Sequence, residues 1–493
     1  MDFISTRGNT DILTSSQAII KGISNDGGLY VPTHFPNTTD KLKNYVGKTY
    51  SQIAFEILKV FLTDFKDDEI KESINNAYSN KFKYDNAVNL NKVNGSYFLE
   101  LYHGPTLAFK DMALTIMPHL LKTAIQKSGL NKEVVILTAT SGDTGKAALE
   151  GFMDVENTKI IVFFPEDGVS AVQKLQMKTQ KGKNTRVVGI RGNFDDAQSG
   201  VKNIFSDKEF EEELSNSGYV LSSANSINIG RLLPQVVYYF YSYMNLVSTG
   251  QISLNDKINF VVPTGNFGNI LAGYYAKRMG LPINKLICAS NENNVLCDFF
   301  ATGKYNKNRS LKLTSSPSMD ILISSNLERL LFEVCDRDQS TVKNLMDKLN
   351  SKGVYEIDEN MKNNLDSFSA EYSDEESVRI TIKKVFDNFD YLIDTHTAVA
   401  YNCYEKYIQK TSDDTKTVIV STANPYKFSE DVLNSLGYKE SNLDDFEIVD
   451  KLRDVSNLEI PDSILKLKDA EILHNSISDK DKLKSEIKKF LKA

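Results

Sequence analysis

The sequence predicts an α/β protein, with two mostly parallel sheets clad in helices and a cleft between the two lobes. Three observations carry this expectation. From residue 133 onward, short apolar and β-branched runs alternate with helical stretches. The turns that close several of these runs are built of Gly, Ser, Thr and Asn. At 493 residues the chain is too long for one ordinary core, so two or more lobes are expected.

Residues 1–95 read as a separate N-terminal unit. STRG at 5–8 precedes a helical pattern, NDGGLYVP at 25–32 is a Gly-rich turn into a short strand, and helical periodicity resumes over 50–65 and 67–79. A core follows over 96–440. Its smaller lobe, about 125–230, holds the runs EVVILTAT (133–140), KIIVFFP (159–165), TRVVGI (185–190) and VLSSAN (220–225). A long aromatic helix over about 230–246 leads to KINFVVPTG (257–265) and KLICASN (285–291). Residues 295–388 lose the strand rhythm and read as a helical insertion. The rhythm returns at TVIVSTAN (417–424), and 441–493 reads as a charged, partly helical tail packing on the core.

With 41 % hydrophobic and 25 % charged residues, the composition is that of a soluble globular protein. A net charge of -7 argues against nucleic acid as the main partner. Cys288, Cys297, Cys335 and Cys403 form neither a CxxC pair nor a zinc pattern, so reduced structural thiols and no metal are expected. No apolar run is long enough to span a membrane and the first residues lack a signal-peptide core, so the expectation is a cytoplasmic protein.

The stretch LYHGPTLAFKDMAL (101–114) sets one lysine, Lys110, among apolar neighbours. A lysine taken alone is ordinarily a surface residue with a buried stem. A desolvated amine, in contrast, has a lowered pKa and is ready to form a Schiff base. The strand-end loops supply what such an amine needs. Thr140 to Lys146 fails as a P-loop, because Gly142 is too close to Gly145 and Ala147 replaces the Ser/Thr. It is either a capped helix start or an anion site. Pro263-Thr264-Gly265-Asn266-Phe267-Gly268-Asn269 suits a phosphate and is not a dinucleotide motif. Ser223 to Arg231 adds amides, a hydroxyl and an arginine suited to phosphate or carboxylate. Ser421-Thr422 puts hydroxyls at a strand end.

Taken together and in this order, STRG, DGGLYVP, HGPTLAFKD, TATSGDTG, NSINIGR, PTGNFGN and STANPYKF resemble the threonine synthases. That resemblance implies the pyridoxal-phosphate-dependent fold type II and the cofactor pyridoxal 5′-phosphate (PLP). Lys110 would carry PLP and act as the catalytic base. Gly265, Asn266, Phe267, Gly268 and Asn269 would hold its phosphate, with Asp143 by the ring hydroxyl and Thr422 by the pyridine nitrogen. Ser141, Thr144, Asn225, Ser226 and Arg231 would bind the substrate, O-phospho-L-homoserine. His103 either orients the loop or simply packs. The implied product is L-threonine, formed by a monomer or homodimer. A phospho-lyase giving a 2-oxo acid and a non-catalytic paralogue are the alternatives. The chain departs from the family at Ile229-Gly230 and at Asn424, and neither removes an assigned group.

Overall fold

Two parallel sheets, set with the carboxyl ends of their strands toward a shared cleft, organise the protein. The structure is a computed structural model and describes residues 1–140, 142–166, 169, 171–192, 194–439 and 442–492. The large sheet has six strands, in the order Phe368–Tyr372, Ile283–Ser290, Ile258–Pro263, Thr417–Ser421, Ser96–Glu100 and Asn89–Val93. All its neighbours are parallel except the last pair, which form an antiparallel hairpin. Its central strands are fully buried and read as unbroken apolar runs, because helices cover both faces. The small lobe is a five-stranded parallel sheet, in the order Ser476–Asp479, Thr185–Arg191, Thr158–Pro165, Glu133–Ala139 and Tyr219–Ser222.

The aromatic helix runs over Ile229–Ser248 and is capped by the Asn228 side chain, which accepts from Gly230 N. Its Tyr238, Tyr239 and Tyr243 are fully buried. It packs on helix Gly268–Arg278 and on helix Tyr50–Phe61 of the N-terminal unit. That unit also has a three-stranded antiparallel sheet of Leu13–Thr14, Asp2–Ser5 and Tyr30–Pro32. Its Phe3, Tyr30, Ile53 and Phe61 belong to the same buried cluster as Leu121, Val162 and Val262 of the lobes. Burying each such side chain contributes about 1.5–3 kcal/mol, so unit and lobes are held as one packed body.

Three edge strands lie where the sequence rhythm does not announce them, as do the buried strand Ser96–Glu100 and the short antiparallel pair Lys304–Asn306 and Val354–Glu356. Phe368–Tyr372 sits within the stretch read as a helical insertion, yet it forms a parallel edge of the large sheet. Asn89–Val93 forms the opposite edge, and Ser476–Asp479 comes from the tail. All three are edge strands with partly exposed, polar faces, which do not need the continuous apolar pattern of the centre. The four cysteines are free. Among the described residues no helix is long and apolar enough to cross a membrane.

Candidate active site

The turn that presents Lys110 is fixed by its backbone. After strand Ser96–Glu100, Leu101 N donates to Ser421 O (3.0 Å), Phe109 N to Thr422 O (2.8 Å), and Asn424 N to Leu107 O (3.0 Å). Leu107 adopts φ +61°, which lets the chain double back. Thr106 ties the turn shut, its N and Oγ1 both donating to the Asp111 carboxylate (2.8 and 2.5 Å). Gly104 is required here, since a Cβ would lie 2.6 Å from Asp111 Oδ2. Lys110 thus begins the short helix Asp111–Leu114 and is buried.

Burial pushes the Lys110 amine down to about 8. Asp143 opposes that shift, and the charges of Arg231 and Lys427 add to it. Nζ lies 3.5 Å from Asp143 Oδ2 and donates to Ser318 Oγ (3.1 Å), which donates to the same carboxylate oxygen (3.2 Å). Asp143 opens helix Asp143–Phe152 of the small lobe. Its burial alone would raise the carboxyl, but Lys427 and Lys110 hold it well below the usual carboxylate range. Lys427 Nζ is 2.9 Å from Asp143 Oδ1, which also accepts from Gln173 Nε2 (2.8 Å).

The structure therefore brings Lys110, Asp143 and Thr422 together. It adds Ser318, Gln173 and Lys427, which the sequence reading did not single out. Lys427 lies inside the quoted STANPYKF stretch, and a lysine between two aromatic residues was the available signal. Ser318 sits in the segment before helix Leu327–Val334, where no periodicity points to it. Its N donates to His396 Nε2 (3.3 Å), and His396 Nδ1 lies 2.9 Å from Asp394 Oδ2. With Nε2 accepting, the proton is assigned to Nδ1.

Loop 263–269 closes strand Ile258–Pro263 and opens helix Gly268–Arg278. Phe267, at φ +63°, turns the chain into the helix. Ser324 Oγ donates to Gly265 O (2.7 Å), and Asn326 N and Nδ2 donate to Asn266 O (3.1 and 3.0 Å). The hydroxyls of Tyr238 and Tyr239 lie 2.7 and 2.8 Å from Asn269 Oδ1. Ser318 links this loop to Lys110, because a Cβ at Gly265 would lie 2.9 Å from Ser318 O.

Arg231 is buried near the start of the aromatic helix, with Nη1 donating to Ala224 O (3.0 Å). Burial pushes it down to about 10, and no carboxylate of the described residues pairs with it. Thr144, in the first turn of helix Asp143–Phe152, and Asn225 and Ser226, in the loop before the aromatic helix, are half-buried, and Ser141 lies outside the described residues. His103 packs between Tyr84 and Tyr102, with Nε2 2.6 Å from Glu100 Oε2, away from the Lys110 amine.

These residues fit PLP. A buried amine of lowered pKa suits a carbonyl carbon. A helix N-terminus behind small residues suits a phosphate. Among the described residues, buried Asn269 Nδ2 and Ser421 Oγ have no protein partner and remain available to a ligand.

Comparisons with known proteins agree with that chemistry. Residues 2–78 match the family described as threonine synthase N terminus, 83–423 that of pyridoxal-phosphate dependent enzymes, and 397–477 that of threonine synthase, C-terminal. Human threonine synthase-like 1 is 41 % identical over 440 residues, 87 % of this chain, which spans only 58 % of that relative's length. Threonine synthase of Pseudomonas aeruginosa is 38 % identical over 88 % of this chain and 90 % of its own. The crystal structure of PLP-bound threonine synthase from Brucella melitensis superposes with a TM-score of 0.89 at 35 % identity, covering all of both chains. The chain belongs to the threonine synthase family of pyridoxal-phosphate-dependent enzymes.

Proposed function

We propose that the protein converts O-phospho-L-homoserine and water into L-threonine and phosphate. The observation that carries this reading is the buried Lys110 amine, facing Asp143 between two loops suited to anions. When bound, PLP supplies an electron sink for charge developing on the substrate's carbon chain. Lys110 takes the α proton and then moves protons along the chain, as a positioned base of pKa near working pH does well. The Cγ–oxygen bond to phosphate breaks and the oxygen of water bonds to Cβ. Residues 265–269 hold the cofactor phosphate. Asp143 would serve the ring hydroxyl and Thr422 the pyridine nitrogen, a neutral group that would not enforce protonation there. Ser141, Thr144, Asn225, Ser226 and Arg231 hold the substrate's carboxylate and phosphate. A buried arginine with no carboxylate partner among the described residues supports an anion at that end of the cleft.

The test is product analysis with the full chain, PLP and O-phospho-L-homoserine. Threonine and phosphate should appear in equal amounts. A 2-oxo acid without threonine would replace this reading by a phospho-lyase. No turnover in a chain that holds PLP on Lys110 would replace it by a binding protein.

A further inference from the structure

We propose that Lys427 is a positioning residue for Lys110: it occupies the Asp143 carboxylate and so keeps the Lys110 amine from being held as an ammonium ion. This rests on Lys110 being the lysine that takes the cofactor.

The geometry distinguishes the two lysines. The Lys427 side chain is 0 % exposed and meets three acceptors: Asp143 Oδ1 at 2.9 Å, Thr106 O at 2.9 Å and Gln176 Oε1 at 3.3 Å. An ammonium has three N–H donors, and these acceptors take all of them. Lys427 is therefore fully committed to these three acceptors. Lys110 has one short acceptor, Ser318 Oγ, and a longer approach of 3.5 Å to Asp143 Oδ2. Two lysines share one carboxylate, and Lys110 is the one left without a full set of acceptors.

The other charged or titratable groups near Lys110 do not reverse this. Arg231, from the aromatic helix, also disfavours an ammonium there. His396, backed by Asp394 at the start of helix Thr395–Thr411, reaches Lys110 only through Ser318. Asp111, on the same turn, is engaged by Thr106. Without Lys427, Asp143 would have Lys110 as its only neighbouring lysine, and the proton would stay on Lys110.

The experiment measures PLP capture by the cofactor-free full chain as a function of pH. Capture is read by the visible imine band and by borohydride trapping mapped to the modified lysine. Acetic anhydride labelling of Lys110, followed by mass spectrometry, gives a readout without PLP. Lys427→Gln should raise the midpoint of both profiles by about one unit, making capture at pH 7 about tenfold slower. Lys427→Arg, which keeps the charge, should bring the midpoint back toward the parent's. If Lys427→Gln does not fold, Lys427→Met, which keeps the apolar stem and removes the charge, is measured in its place and should show the same raised midpoint. Equal midpoints with and without Lys427, or an Arg variant that behaves like the Gln variant, would overturn the inference. Trapping on a different lysine would instead overturn the assignment of Lys110.

Discussion

The loop at 263–269 in the large lobe is tied down by neighbouring elements, whereas residues 140 and 142–146 in the small lobe are tied down both by their own turn and, through Asp143, by side chains from across the cleft. In the first, Ser324, Asn326, Tyr238 and Tyr239 reach in from other elements. In the second, Thr140 Oγ1 accepts from Gly142 N (3.0 Å) and Gly145 N (2.9 Å) within the same turn. The small lobe's contribution to the Lys110 cluster is the Asp143 carboxylate, held from above by Lys427 and Ser318 of the large lobe. The loop of the large lobe is thus fixed by its surroundings, and Asp143 adds an ionic contact between lobes that already share one apolar cluster.

Lys110→Ala gives the largest expected effect, because under the proposed function it removes both the attachment point and the base. Turnover should fall by about 10²–10⁴-fold or more, and the borohydride-stable link to PLP should vanish. Trapping on Lys146 instead would move the site into the small lobe, although Lys146 is engaged by Glu150 at 3.0 Å. Arg231→Leu comes next. A hydrogen bond to a charged group contributes about 1.5–3 kcal/mol. The loss should therefore be about ten- to a hundredfold in kcat/KM, with PLP content near normal. Loss of PLP with the affinity for O-phospho-L-homoserine preserved would mean that the two anion sites are exchanged.

A pair of glycine variants sharpens the contrast between the loops. At Gly145 a Cβ would sit 2.3 Å from Thr140 Cγ2 and 2.9 Å from Val162 Cγ1. Gly145→Ala should lower thermal stability by about 1–3 kcal/mol, as overpacking does. At Gly265 the obstacle is Ser318 O at 2.9 Å and Met319 Cα at 3.3 Å. Gly265→Ala should chiefly weaken PLP binding, measured by titration, with the smaller change in melting temperature. The opposite ranking would mean that the large-lobe loop is the one that carries stability. The smallest effect is expected for Thr422→Asp. It should shift the ratio of threonine to side products and the absorbance spectrum, and no change in either would shift the ring assignment to Ser421.

What the sequence disclosed follows the same division. Central strands such as Ile258–Pro263 and Thr158–Pro165 are buried on both faces, so their apolar runs announce them. Edge strands such as Asn89–Val93 keep polar, half-exposed residues and pass for loops. Within the site, Lys110 and the Gly-Asn loop stand out because local composition carries their chemistry. Lys427 and Ser318 do not, because their meaning depends on Asp143 being brought across the cleft from the other lobe.

The strand Ser476–Asp479 pairs with Thr185–Arg191, although most of the large lobe lies between them in the sequence. During synthesis, the small lobe would present an unpaired edge until its last strand emerges from the ribosome. Such an edge is a template for pairing with other chains, and so distant a contact is slow to form. Correct assembly of this lobe therefore waits on the far end of the chain. A shortened protein that keeps every residue of the cleft but ends before Ser476 should express as aggregate.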